Sequence, residues 1–579
     1  MKSKDKLREK REVWEVLKKA ICPPDKRDTK HLIFAVLSLG SMLAAISIVI
    51  YYILGPMEGY LHSDYTDTMY WANASLESGK ILDPNFRYAG ILPFSANIWF
   101  IPYIAIFGFG MTAHKLGMIT YLVLQSAAVW FMLRSFKWSV SSTSLTISAF
   151  LLLLSGSDKL REMMWGHVIY YSLAILLLCV GIGLFCRISE KRVTKGMFAK
   201  GSGGWKYVIL LALSAILFGG NAINGLQLMA LVTLPCIACA LAEIFFSGKK
   251  KLLDPDNYGA YIGAFTAVIS TGVGYFVLKK IQGDITASYT EYYSQISPPS
   301  QWIENARLLP KSWFTLMGCS VEKNSMMLEP ESIKTILLAF VGAALIVIPI
   351  VGMLSYKKIS DKGTRMLLWA HFAVSAVILF GYVCGTLGNA NWRMLPMLAT
   401  SILASAATVK HLAGVHPDVS LVPRRAAVLL AVLMLIGSLF NFRQMAKMDY
   451  DYGRNNTYHK LAAELESRGL EYGYASFWYS QSITLITDSR VKTRMIIADE
   501  DDGVTTDYYQ NSFSWYEDTE DADKYFVLLS VNENTKVEKS DAWNEFLSEA
   551  EYEREDILNN FVLYVFDRNL DFPDPELFK

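Results

Sequence analysis

What most limits the folding of this chain is its series of long apolar runs. About 20 apolar residues cross the hydrocarbon of a bilayer as a helix, and fewer suffice inside a bundle. Twelve segments approach or meet that length: 32–54, 91–109, 112–133, 138–155, 168–186, 207–218, 226–246, 260–278, 333–354, 366–387, 395–409 and 426–440. Inside a bilayer the backbone has no water to bond, so such runs fold as helices. Charged residues make up only 19% of the 579 positions, against about 25% in soluble domains. The chain reads as a polytopic α-helical membrane protein with a substantial polar part. No basic surface accompanies its aromatics, so a nucleic-acid partner is not expected.

Charge placement orients the helices. Residues 1–30 carry 11 Lys and Arg, whereas the stretch from Asn441 onward holds 14 basic against 29 acidic residues, a net of −15. If all twelve segments span, the basic loop 187–206 falls opposite the basic N-terminus, against the positive-inside rule. Laying 91–109 in the interface, where Pro93, Pro102 and the Gly108/Gly110 pair disfavour a straight span, leaves about 11 spans and removes the conflict. The basic loops 134–137, 187–206, 248–256, 356–365 and 410–425 then share the cytoplasmic side with residues 1–30. The outer side receives 55–110, 156–167, 219–225, 279–332, 388–393 and the acidic tail. The expected location is the plasma membrane, with a cytoplasmic N-terminus and an extracytoplasmic C-terminal domain. The expected organisation is 1–30 as a basic N-terminus, 31–442 as the transmembrane domain and 443–579 as a soluble α/β domain.

In that last part, 458–468 reads as an amphipathic helix and 472–478, 525–531 and 561–567 as strands, with a helix at 541–552. Within the long outer loop, 301–316 reads as an amphipathic helix lying on the bilayer. Seven cysteines are present. Cys236 and Cys239 form a C-x-x-C inside an apolar helix with no second pair, which reads as core packing. Cys319 and Cys384 both face outward and are a possible pair.

Four outer loops place polar residues at the membrane boundary. The first carries His62, Asp64, Asp67 and Tyr70; if 64–78 is helical, the i, i+3 spacing sets both carboxylates on one face. The second offers Asp158, Lys159, Arg161, Glu162 and His167, the third Asn221, Asn224 and Gln227, and the fourth Arg393. Arg307 lies on the amphipathic helix. Charged groups at such a boundary are costly unless paired or hydrated, which makes them functional candidates. A carboxylate base beside basic residues suits the transfer of a group from phosphate to a hydroxyl or amine. Each residue also has a plainer role: Asp64 and Asp67 as helix caps, Asp158, Arg161 and Glu162 as a surface ion-pair turn, Arg393 as a snorkelling side chain, His167 and the asparagines as structural groups.

At this point the chain resembles the GT-C superfamily of membrane glycosyltransferases, in particular the protein O-mannosyltransferases, the aminoarabinose transferase of lipid A and the Rgt-type galacturonosyl transferases. The family's first outer loop carries an essential acid, then Tyr and Ala, then Gly about fifteen residues on. Here Asp64 precedes Gly79 by fifteen, with Tyr70, Ala72 and Ala74 between. The Pro-containing apolar stretch ending in Phe107-Gly108 resembles the family's next element. Tyr65 follows Asp64 where the family has Glu, so either Asp64 or Asp67 could be the base.

The resemblance implies a polyprenyl-phosphate-linked sugar as donor, and a lipid, glycan or protein as acceptor, on the outer face. Lys159, Arg161, Arg307 and Arg393 would meet the donor phosphate, with His62, Tyr70, Glu162, His167, Asn224 and Gln227 supporting or binding acceptor. Phe477, Trp478, Tyr479 and Tyr509 of the tail could stack on acceptor sugars. Asp64, Asp67 and Glu162 could supply oxygens to Mg2+ or Mn2+. Two other classes compete: a transporter or flippase for a lipid-linked sugar, which would carry charges near mid-span, and a non-catalytic surface binding or assembly protein.

Overall fold

The protein is described here from a computed structural model, covering residue 15 and residues 28–190, 204–246, 252–285, 295–320, 326–414, 422–450, 455–517, 522–570 and 572. The basic stretches 1–27, 191–203 and 415–421 lie outside these except for residue 15. Helix α1 is Thr29–Leu54. The first outer loop carries α2 (Asp67–Ser78) and α3 (Asn97–Phe107). The bundle continues with α4 (Met111–Ser135), α5 (Val140–Leu153), α6 (Tyr170–Ser189), α7 (Gly204–Ile223), α8 (Leu226–Phe246) and α9 (Tyr258–Gln282). Helix α10 (Trp302–Leu316) occupies the long loop, followed by α11 (Pro330–Leu354), α12 (Lys362–Val383), α13 (Leu395–Ala413) and α14 (Val422–Ala446).

Among the described residues nine helices are long and apolar enough to cross a membrane: α1, α4, α6 to α9, α11, α12 and α14. The other two expected spans are the buried helix α13 and the short α5. Fourteen residues of α5 rise only about 21 Å, against roughly 30 Å of hydrocarbon. Segment 91–109 forms no span: α3 has 11 residues, with Pro102 inside it. The closest helix pairs are α1 with α5, α4 with α6 and α7 with α9, each pair being next-but-one or further in the chain and running in the same direction. The last pair touches closely because Gly274 faces the Gly219 carbonyl, where a Cβ would collide.

The loops sort to two ends as charge predicted. At one end Trp138 donates to Asp361 at 3.1 Å and Lys137 pairs with Glu190 at 2.9 Å. At the other, Asn224 grips both the amide and the carbonyl of Phe94 at 2.9 Å, and Asn391 donates to Thr315 at 3.1 Å.

The C-terminal domain opens with α15 (Thr457–Ser467). Its sheet holds β1 (Tyr472–Ala475), β2 (Lys492–Ala498), β3 (Val504–Thr506), β4 (Tyr525–Ser530), β5 (Tyr552–Ile557) and β6 (Phe561–Phe566) in the order β3-β2-β1-β4-β6-β5. Strand β1 is parallel to β2 and β4, and the remaining pairs are antiparallel. Helices α16 (Phe477–Ile486), α17 (Val531–Val537) and α18 (Asp541–Ser548) complete it.

Two expectations fail here. The strand expected over 472–478 stops at Ala475, because Ser476 turns the aromatic Phe477-Trp478-Tyr479 into the start of α16. The helix expected over 541–552 ends at Ser548; the charged Tyr552–Ile557 is instead an edge strand, where exposed charge blocks further pairing. Cys319 and Cys384 are both free thiols, and no disulfide joins them.

Candidate active site

The site forms where the first outer loop meets the chain leaving α5. After α1 the backbone makes tight turns at Pro56–Tyr60 and Ser63–Thr66, and only then enters α2, which Gly79 ends in the left-handed region at φ 65°. The helix therefore begins three residues later than expected. Neither carboxylate caps it: no side chain bonds the α2 N-terminus. Asp64 stands in the tight turn with its side chain 38% exposed, and its backbone carbonyl is held by His167 Nδ1 at 2.5 Å.

The opposite wall follows from the shortness of α5. The chain bends by 118° into Asp158–Gly166, with Ser157 capping the turn through the amide of Leu160. The next turn, Glu162–Gly166, is a π-helical one, a form concentrated at functional sites. Glu162 points into the space in front of Asp64. Lys159 Nζ lies 2.6 Å from both its carboxylate oxygens.

His62 bridges the two walls. Its Nε2 is 3.5 Å from Glu162 Oε2 and its Nδ1 3.8 Å from Asp64 Oδ2. The Tyr65 ring supports the imidazole edge-on at 4.9 Å. Gly166 permits this, since a Cβ there would strike the Tyr65 ring. Trp478 of α16, half exposed, stands 6.0 Å from the imidazole. Below, Ser63 donates to the Phe477 carbonyl and, at 2.9 Å, to that of Trp478, and Thr66 donates to Gln481 at 2.9 Å.

Charge separates the carboxyls. Burial alone would raise Glu162, but the bond to His62 and the nearby His167 and Lys159 outweigh it and hold its pKa at about 2. Burial pushes the His167 imidazole down. Asp67 turns inward from the start of α2; burial, then the negative Asp64, lifts its carboxyl well above the usual carboxylate range. Its Oδ1 has no hydrogen-bond partner. Asp67 is absent from the three-group cluster of His62, Asp64 and Glu162, whose ligand-type atoms all lie within 4.8 Å of one another.

The remaining expected residues stand elsewhere. Arg161 is fully buried beneath the turn, bonded to Asp158 and to the Ser155 carbonyl at 2.8 Å, with Tyr52 and Tyr60 rings at 5.8 and 5.9 Å. Arg307 is exposed on α10, paired with Glu304 at 3.3 Å. Arg393 is buried at the entry to α13, where it donates to the Thr386 carbonyl at 3.1 Å. Asn224 braces the Phe94 turn, Gln227 sits half-buried at the start of α8, and Tyr70 faces the C-terminal domain beside Trp515 at 5.5 Å.

That domain touches the first loop far more than the sequence signals. Gln510 accepts from Trp71 Nε1 at 2.6 Å, Trp515 Nε1 donates to Glu77 at 2.6 Å, and Ser512 donates to Asp83 at 2.9 Å. These partners lie more than 400 residues apart, and no periodicity encodes such a contact.

No protein-family model and no curated protein matches the chain. Solved structures do. The fold is similar to ArnT from Cupriavidus metallidurans bound to undecaprenyl phosphate, with a TM-score of 0.52 and 10% identity over 92% of this chain and 97% of that one. The apo form of that protein gives a TM-score of 0.50 and 10% identity over 90% and 97%. A looser similarity, TM-score 0.43 and 11% identity over 94% and 75%, is to the oligosaccharyltransferase AglB from Archaeoglobus fulgidus in complex with an inhibitory peptide and a dolichol-phosphate. At this identity what is shared is the fold. The chain shares the fold of ArnT and carries, among the described residues, nine helices long and apolar enough to cross a membrane.

Proposed function

We propose that the protein is a membrane glycosyltransferase that moves a sugar from a polyprenyl-phosphate carrier to a hydroxyl or amine acceptor at the outer face. The observation carrying this is the cluster of His62, Asp64 and Glu162 with Lys159, set where the chain bends sharply after the short α5. A GT-C fold whose solved relative holds undecaprenyl phosphate supports the donor class. The positive-inside distribution supports the outer face.

Asp64 is the base in this reading. Its carboxylate is open to an incoming acceptor, whereas Asp67 is withdrawn and favours its protonated form. Asp64 takes the acceptor proton as the acceptor atom bonds to the anomeric carbon, and the carbon–oxygen bond to the carrier phosphate breaks. Lys159 and His62 lie near enough to Glu162 to shift toward the departing phosphate oxygen, a charge-assisted contact. Arg161 acts as a positioning residue that shapes the turn bearing Glu162, and Trp478 offers a ring for the acceptor to stack on.

The donor set fits a divalent cation. His62 Nδ1 has no hydrogen-bond partner and two carboxylates stand within reach. One imidazole with two carboxylates suits Mn2+ or Zn2+ better than Mg2+, which favours all-oxygen, largely hydrated sites. Bound there, such an ion would neutralise phosphate charge.

The test is native mass spectrometry of the protein purified in lipid nanodiscs, followed by single-turnover transfer from the carrier it retains. A co-purifying polyprenyl phosphate or its sugar ester, with turnover lost in Asp64→Asn, is expected. Full turnover in Asp64→Asn would overturn the assignment of the base, and absence of any carrier would overturn the donor class.

A further inference from the structure

A cavity of about 520 Å³ lies between the first outer loop and the C-terminal domain. That size falls within the roughly 300–1,000 Å³ typical of small-molecule sites. One wall is a stripe of α2 in which Tyr70, Asn73 and Glu77 share a helical face. The other is built from β2, which supplies Arg494, and from the stretch after β3, which supplies Trp515.

The acidic groups of this cavity are already engaged. Glu77 accepts from Trp515 Nε1 at 2.6 Å and from Asn73 at 2.8 Å. Asp83 accepts from Ser512 at 2.9 Å and from the Asn85 amide at 2.9 Å. Two donors are left over. The Tyr70 hydroxyl is buried beside Thr484 and makes no hydrogen bond of full geometry. Arg494 lies with its guanidinium 5.6 Å from the Tyr472 ring and 5.4 Å from that of Trp515, and its Nε is also buried without a partner. No ion pair joins Arg494 to a carboxylate among the described residues. Buried donors left unmet are costly, and a ligand oxygen relieves them.

We propose that this cavity binds an anionic saccharide, a sugar carrying a carboxylate or a phosphate. Arg494 takes the anion, the Tyr70 hydroxyl and the Asn73 amide address sugar hydroxyls, and the Trp515 indole supplies an aromatic wall. Tyr70 stands six residues after Asp64, roughly 10 Å along the chain direction. Resting on the transferase reading, the occupant is therefore part of the acceptor glycan held away from the reacting bond.

The experiment is a titration of the full-length protein in nanodiscs with glucuronic acid, glucose 6-phosphate and glucose, followed by saturation-transfer NMR. Wild type is expected to bind one of the two acids at least about tenfold more tightly than glucose, the difference a charge-assisted bond supplies; which acid wins separates a carboxylate from a phosphate ligand. Arg494→Gln should remove that preference. Tyr70→Phe, which keeps the ring packing, should weaken binding a few-fold, and Asp64→Asn should leave it intact. Equal binding of acids and glucose in wild type overturns the proposal, as does a preference that survives Arg494→Gln but vanishes in Asp64→Asn. Absence of transfer by the wild-type protein, with its preference for the acid retained, would instead tell against the transferase reading.

Discussion

The two ends of the first outer loop solve opposite electrostatic problems. At its start, Asp64 and Glu162 stand beside the His62 imidazole and the Lys159 ammonium, so negative charge is met by groups that can exchange partners. At its far end, Glu77 and Asp83 are tied down by neutral donors, and the cation Arg494 keeps an unmet donor. The first arrangement can accept a proton and exchange partners during a reaction. The second is fixed and can only hold something. The same helix, α2, joins a reactive end to a binding end.

The largest break in this contrast comes from Asp64→Asn. Removing a general base costs on the order of 10²–10⁴-fold in rate, so single-turnover transfer should nearly vanish while thermal unfolding stays unchanged. Glu162→Gln should lower transfer by about 10–100-fold, as loss of a supporting partner commonly does, and it has a second signature. The Glu162 pKa is depressed from 4.5 to about 2, so its contribution to stability is present above 4.5 and is lost as pH falls through 2. The wild-type melting temperature should drop over that window by more than that of the variant. A parallel decline in both would remove the argument that cations gather on Glu162.

How much of this was readable beforehand differs between the two ends. His62, Asp64, Glu162 and His167 were all candidates, because charged groups beside apolar runs stand out against a bilayer. The apolar runs likewise foretold the helical bundle, and Pro102 with Gly108 and Gly110 marked one run that does not span. Tyr70 was a candidate for a site it does not join. Nothing pointed to Glu77, Arg494 or Gln510, whose roles exist only after residues over 400 positions apart dock. Asp64 and Asp67 stand near enough for the charge of one to raise the pKa of the other, but Asp64 lies in the Ser63–Thr66 turn before α2, and only Asp67 is buried.

Sharpening the binding end is a matter of stability. Gln510 adopts a left-handed backbone at φ 58°, a conformation costing roughly 1–2 kcal/mol for a residue with a side chain. Its Oε1 accepts from Trp71 and, at 3.3 Å, from the Ala89 amide. Gln510→Ala keeps the strain and orphans both donors, a loss of about 1–3 kcal/mol. Limited proteolysis should then release the C-terminal domain earlier than in wild type, with the Asp64 recess losing Trp478 as a consequence. Unchanged cleavage would show that the domain is held by other contacts.

The smallest effect is the most discriminating, because it separates two carboxylates three residues apart. Asp67 has a pKa raised well above 3.8 by burial and by Asp64. For such a group the stabilising protonated form is complete below 3.8, and stability is lost as pH rises toward the elevated value. Asp67→Asn mimics the protonated state at every pH. The variant should therefore melt higher than wild type near neutral pH, lose that advantage near pH 3, and transfer within a few-fold of wild type. Asp64→Asn should show the reverse pattern, with transfer abolished and little pH-dependent gain, because burial outweighs Asp64 in raising Asp67. A collapse of transfer in Asp67→Asn would move the base one turn into α2 and join the two ends of the loop into a single site.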